Sequence, residues 1–199
     1  MMQPQTKERQ TPSQYTVSNS LVNYYLTIMF SFFPLFLTEQ YAHARTDKYW
    51  FYLIATGLLV VSVGITMLIS RKEAARRGEK TALILPLSLT DIFMLCFLGL
   101  AVISTLLSEH RAEAFLGTGG RNNGLLLLMV YTLMYFIITR NYVQKDYVFL
   151  VYLAVSSIIA LLTVLNFFYI DPLHMLSGYD EATVADFGST LGNKNIIAA

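Results

Sequence analysis

The sequence predicts an all-α protein that forms a polytopic bundle of transmembrane helices. Of its 199 residues, 55% are hydrophobic and only 14% are charged, whereas about a quarter of the residues of a soluble domain are charged. The charged residues lie mainly between long apolar runs, and the mean hydropathy is +0.51. The net charge of +1 does not indicate binding to nucleic acid. The lipid bilayer is therefore an expected partner, and nucleic acid is not.

Five apolar runs are close to the length of about 20 residues that a spanning helix needs. They cover residues 17–38, 49–70, 85–107, 124–139 and 147–169. A sixth span starts at residues 195–199, and a lone helical turn would leave backbone groups unpaired in a bilayer. We therefore expect the chain to be the N-terminal part of a longer protein, with a polar cytoplasmic tail (1–16) and a transmembrane domain (17–199).

The distribution of Lys and Arg predicts the orientation of the spans. If the N-terminus is cytoplasmic, most of these residues fall on the inner segments, above all in the short "RKEAARRGEK" stretch, residues 71–80. The sequence thus predicts a multi-pass protein of the cell membrane. Two glycine-bearing segments, 117–124 and 187–195, are then both expected on the outer face.

The first of these segments, "GTGGRNNG" at residues 117–124, offers groups that bind anions. Backbone N–H groups at Gly119 and Gly120 can converge on an anion, and the guanidinium of Arg121 suits phosphate oxygens. A spanning helix that starts just after the segment favours negative charge at the same place. The alternative is that glycine and asparagine only supply a tight turn.

The second segment, "STLGNKN" at residues 189–195, can likewise be interpreted as a structural element or as an anion-binding one. Asn193 and Asn195 can cap the helix expected to follow them. Lys194 is unfavourable near the positive end of that helix, and an anionic ligand would offset this cost. The predicted pyrophosphate-binding residues are therefore Gly119, Gly120, Arg121, Asn193, Lys194 and Asn195.

Asp91 is the one acidic residue inside a predicted span. A carboxylate in a membrane is costly, and it is usually functional or paired. Its position near the inner end of the third span favours partial hydration or a pair with a basic residue of the inner segments. The sequence contains no metal-ligand spacing, and neither a metal nor another cofactor is expected.

Two stretches resemble the O-antigen ligase and polymerase superfamily. Residues 101–136 contain a serine-rich helix end, then a short outer loop with glycine, arginine and "GLL". The matching residues are Ser104, Leu106, Ser108, Gly117, Arg121 and Gly124. Residues 188–199, "GSTLGNKNIIAA", are similar to the family's "G-T-x-x-N-x-N-x-x-A" signature. The resemblance covers about residues 85–199.

This resemblance implies a membrane glycosyltransferase with a fold akin to the GT-C class. Such enzymes act on the outer face of the membrane and transfer or polymerise glycans carried on undecaprenyl pyrophosphate, with a second glycan or a lipid as acceptor. Family members hold the pyrophosphate with outer-face arginines, and Arg121 matches such a position. Their catalytic histidine lies in the C-terminal half, and neither His110 nor His174 matches it. The catalytic residues therefore stay unassigned, and the chain is expected to be inactive alone.

Two other classes of function remain open. A transporter or flippase for lipid-linked sugars predicts polar residues near mid-bilayer and broken helices. A non-catalytic membrane scaffold predicts that both glycine-bearing segments are simple turns. The sequence downstream would discriminate between the transferase and the transporter. A large outer loop with a histidine favours the transferase, and a second copy of the five-span pattern favours the transporter.

Overall fold

The computed structural model describes residues 13–36, 44–78, 87–117, 122–174 and 189–191. Its helices are α1 (Ser13–Leu35), α2 (Ala44–Arg76), α3 (Leu89–Leu107), α4 (Arg111–Leu116), α5 (Leu125–Asn141) and α6 (Asp146–Phe167). A single 3-10 turn follows at Ser189–Leu191. Within these ranges the chain is helical and has no strand, which confirms the predicted all-α class.

Each of the five predicted spans overlaps one of the helices α1, α2, α3, α5 and α6. Three of these helices are long and apolar enough to cross a membrane. They are Thr46–Arg76 within α2, Leu89–Leu107 and Asp146–Phe167. The α5 helix is also apolar but has only 17 residues, and α1 has 23 residues with several polar ones among them. The protein is thus of the membrane type. The predicted start of a sixth span lies outside the described residues.

The ends of α2 and α3 differ from the predicted spans for local reasons. The α2 helix continues past the apolar run to Arg76, because alanine, lysine, arginine and glutamate are good helix formers. The α3 helix starts at Leu89, four residues after the apolar run begins. Ser88, whose own backbone is extended, starts the helix with a capping box, in which its hydroxyl accepts from the backbone N–H of Asp91 and the Asp91 carboxylate accepts from that of Ser88.

The core lies where α1 packs between α2, α5 and α6. Its buried members are Val22, Tyr25, Leu59, Val63, Met134 and Ile137. Polar contacts also join these helices. The hydroxyl groups of Tyr25 and Thr56 are 2.9 Å apart in the core, and those of Ser18 and Thr66 are 3.0 Å apart. Such hydrogen bonds stabilise helix pairs that lack a hydrophobic driving force in lipid.

Among the described elements, the α3 helix packs mainly on α5 and α4. Along α3 most large apolar side chains are exposed, among them Phe93, Phe97, Leu100, Ile103 and Leu107. A continuous apolar surface of this kind is unusual on a soluble monomer. It is the surface that a lipid-facing helix presents.

The bundle has two distinct ends. At the first, which we call the basic end, α2 finishes with exposed Arg71, Lys72 and Arg76. At the second, which we call the glycine end, α2 and α5 begin. Tyr52 and Tyr131 fix this alignment, because their rings lie 5.4 Å apart near the start of each helix.

Candidate functional site

The edges of the first glycine-bearing segment meet at the glycine end. Gly117 has a φ of +95°, a conformation that favours glycine. A Cβ added to Gly117 would lie 2.5 Å from the backbone nitrogen of Asn123, and one added to Gly124 would overlap the carbonyl of Phe115. The chain on both sides of the segment is therefore in close backbone contact, and this approach requires glycine at both positions.

The short α4 helix, which the sequence did not predict, helps to build this region. It packs on both α3 and α5, and Gly117 follows it directly as its C-cap. Gly117 donates its backbone N–H to the Glu113 carbonyl at 2.7 Å, which closes the last turn of α4. The described part of the connection between the third and fourth predicted spans is thus held against the bundle.

A cleft of about 550 Å³ lies between α3, α4 and α5 at this end. Its polar lining comes from Ser104, Thr105, Asn123 and Tyr131, and the rest comes from leucines of α5 and from alanine and glycine residues. The Thr105 hydroxyl donates to the Ala101 carbonyl within its own helix. Amide and hydroxyl groups beside an apolar wall suit a ligand that combines a polar head with a hydrocarbon chain.

The Ser189–Leu191 turn lies at the same end of the bundle. Lys48, near the start of α2, donates from Nζ to the Thr190 carbonyl at 2.7 Å and to the Pro34 carbonyl at 3.3 Å. The turn also packs on α1 and α6. The described parts of both glycine-bearing segments therefore share one end of the bundle, away from the basic end.

All six predicted pyrophosphate-binding residues lie outside the described residues. They are Gly119, Gly120, Arg121, Asn193, Lys194 and Asn195. Their described neighbours are Gly117 and Asn122 for the first segment and Leu191 for the second. The anion-binding role of the six residues stays a prediction.

Asp91 forms a buried ion pair, as the sequence led us to expect for an acid near the inner end of its span. It accepts from Arg140 through both oxygens, with Nη2–Oδ2 at 2.7 Å and Nη1–Oδ1 at 3.3 Å. Tyr135 donates to Oδ1 at 2.9 Å, and Ser88 completes the set through its backbone N–H. The pair joins the start of α3 to the end of α5, so it lies at the end opposite Gly124 and outside the candidate site.

Sequence reasoning missed Lys48 and Tyr131 as residues of the glycine end. In the sequence, Lys48 is one charged residue just before the apolar run at 49–70, and Tyr131 is one residue of the apolar run at 124–139. The contact between Lys48 and Thr190 joins positions 142 residues apart, and no local pattern signals such a pair. For Tyr131, a phenol one to two turns from a helix start was the available signal, since tyrosine is enriched at membrane interfaces.

Comparison with family models, with curated proteins and with solved structures finds no match to this chain.

Proposed function

We propose that this chain belongs to a membrane glycosyltransferase that resembles the O-antigen ligases and polymerases and serves the synthesis of a cell-surface polysaccharide. Its substrate would be a glycan carried on undecaprenyl pyrophosphate, and its acceptor a second glycan or a lipid. The observation that carries the proposal is the shared location of the flanks of both family-like motifs. Gly117 and Asn122 of one motif and Thr190 of the other lie at the glycine end.

The reaction would transfer the glycan between two oxygen atoms. The bond between the anomeric carbon and the pyrophosphate oxygen breaks, and the anomeric carbon bonds to a hydroxyl oxygen of the acceptor. The hydroxyl proton passes to a base that is still to be assigned, and undecaprenyl pyrophosphate leaves. Because the leaving group is already a good one, the protein must chiefly position the acceptor and stabilise the charge on the departing oxygens.

In this proposal Arg121 stabilises the pyrophosphate and the cleft holds the adjoining part of the lipid-linked glycan. The hydroxyl and amide groups of Ser104, Asn123 and Tyr131 would face the sugar, and the leucines of α5 would face the hydrocarbon. Arg121 directly precedes Asn122, which is close to Gly117 in the described chain. The arginine and the cleft would thus act on one substrate molecule.

Arg121→Ala in the full-length protein is expected to reduce the polymer or ligated product about 100-fold, the usual loss when one charge-stabilising donor is removed. Arg121→Lys should recover only part of the activity, since lysine lacks the planar fork. The measurement is the amount of product made by cells with equal levels of each variant in the membrane.

Arg111→Ala is the matched control, because Arg111 is an exposed arginine on α4 at the same end. It should leave product formation unchanged. Wild-type product levels in the Arg121→Ala variant, at normal expression, would remove Arg121 from the site and leave the first segment as a turn.

A further inference from the structure

Lys48 is a half-buried cation whose described contacts are all uncharged. Its Nζ donates to the carbonyl oxygens of Thr190 and Pro34, and it lies 6.0 Å from the centre of the Phe33 ring. Among the residues that the structure describes, no carboxylate forms an ion pair with it. A cation removed from water in this way is costly unless an anion accompanies it.

The donors of Lys48 are only partly used. An ammonium group has three N–H donors, and the two carbonyls account for two of them. One donor and the full positive charge are left for another partner. The carbonyl contacts hold the ammonium at one place between α1, α2 and the Ser189–Leu191 turn.

Thr190 provides a second and independent sign that a partner is missing. The residue is 2% exposed, and its side-chain hydroxyl has no hydrogen-bond partner among the residues that the structure describes. Buried polar groups are nearly always satisfied, and an exception indicates an absent water, ion or ligand. This hydroxyl belongs to the same residue whose carbonyl accepts from Lys48. The hydroxyl and the unused N–H of Lys48 are therefore both at the Ser189–Leu191 turn.

The depth of Lys48 indicates which anion is available. Tyr49 and Trp50 follow it directly, and Trp50 is 56% exposed. Exposed aromatic residues at the end of an apolar helix mark the level of the lipid headgroups. The anionic groups at that level are phosphate esters.

We propose that Lys48 and Thr190 form a binding site for the phosphate group of a membrane lipid. One phosphate oxygen would accept from the free N–H of Lys48 and another from the Thr190 hydroxyl. The phosphate belongs either to a phospholipid or to the pyrophosphate-linked carrier, and only the second source rests on the proposed function.

Trp50 reports on this site because it is the one tryptophan in the chain. The purified 199-residue protein is placed in micelles of dodecyl maltoside, a detergent without phosphate, and titrated with farnesyl diphosphate, and Trp50 fluorescence is recorded. A second series adds increasing phosphatidylglycerol to the micelles, and a third uses farnesol, which has no phosphate. We expect a saturable change with a phosphate-bearing probe and none with farnesol. A response to farnesyl diphosphate alone assigns the site to the carrier, and an equal response to phosphatidylglycerol assigns it to phospholipids.

Three variants test the two residues. Lys48→Met and Thr190→Val should each weaken binding about tenfold or more, the usual effect of losing a charge-assisted hydrogen bond, and Lys48→Arg should bind nearly as the wild type does. Lys72→Met is the matched control, because it removes an exposed lysine of the same helix at the basic end.

Unchanged affinity in Lys48→Met, or equal responses to farnesol and the phosphate-bearing probes, would overturn the site. If Lys48→Met does not fold, Thr190→Val provides the test instead. Unchanged affinity in Thr190→Val would then overturn the site. Neither result bears on the role of Arg121, which is measured through product formation.

Discussion

Asp91→Ala is expected to lower the melting midpoint of the purified protein on the order of 10 °C, because it leaves the Arg140 guanidinium without its carboxylate. The Asp91 side chain is 3% exposed and that of Arg140 is 21% exposed, so water replaces little of the lost interaction. Among the described residues, the pair is also the main polar contact between α3 and α5. Losing it weakens the attachment of a helix whose main described neighbours are α4 and α5.

A double-mutant cycle separates the pair from its surroundings. Arg140→Ala should be about as harmful as Asp91→Ala, and the double variant should be less harmful than the sum of the two. The control is Arg77→Ala, which removes a 3.9 Å ion pair with Glu73 between exposed side chains and should have little effect. Additive losses from the Asp91 and Arg140 variants would contradict a direct pair.

Gly124→Ala is expected to prevent the protein from reaching its folded state or to lower its melting midpoint by a similarly large amount. The new methyl group would overlap the backbone of Phe115, and backbone cannot move aside as a flexible side chain can. Gly117→Ala should behave in the same way, since its φ of +95° is also unfavourable for alanine. Monodispersity in size-exclusion chromatography and the melting midpoint measure both variants.

Gly99→Ala is the matched control for these substitutions. Gly99 lies inside α3, and a Cβ added there meets nothing within 4 Å. Alanine is favoured over glycine inside a helix by about 1 kcal/mol, so this variant should be at least as stable as the wild type. A Gly124→Ala protein with wild-type stability would show that the close approach to α4 is not needed for folding.

The helices were predictable because a span needs a long apolar run, and such runs are visible in the sequence. The residues at which the helices begin and end were less predictable. The third span was predicted to begin at residue 85, whereas the capping box of Ser88 and Asp91 starts the helix four residues later. The residues of that box are present in "SLTD", but the apolar run that predicts the span begins before them. The α4 helix is only six residues long, too short for a periodic pattern.

The candidate site was predictable only in part. Glycine at positions 117 and 124 indicated a special backbone, but not that the two positions approach each other beside α4. The Asp91 pair could be anticipated, because a lone acid in a span needs a partner and the inner segments offer cations. The link between Lys48 and Thr190 depends on how distant helices pack, so no short stretch of sequence encodes it.

The glycine end is expected to face the outside of the cell. Asn123 is exposed at that end and Ala75 is exposed at the basic end, so each takes a single cysteine in a Cys96→Ser background. Cells are treated with a membrane-impermeant maleimide, either intact or after permeabilisation. Asn123→Cys should be labelled in intact cells, and Ala75→Cys should be labelled only after permeabilisation. The reverse pattern would contradict the orientation and, with it, the proposed action on an outer-face glycan.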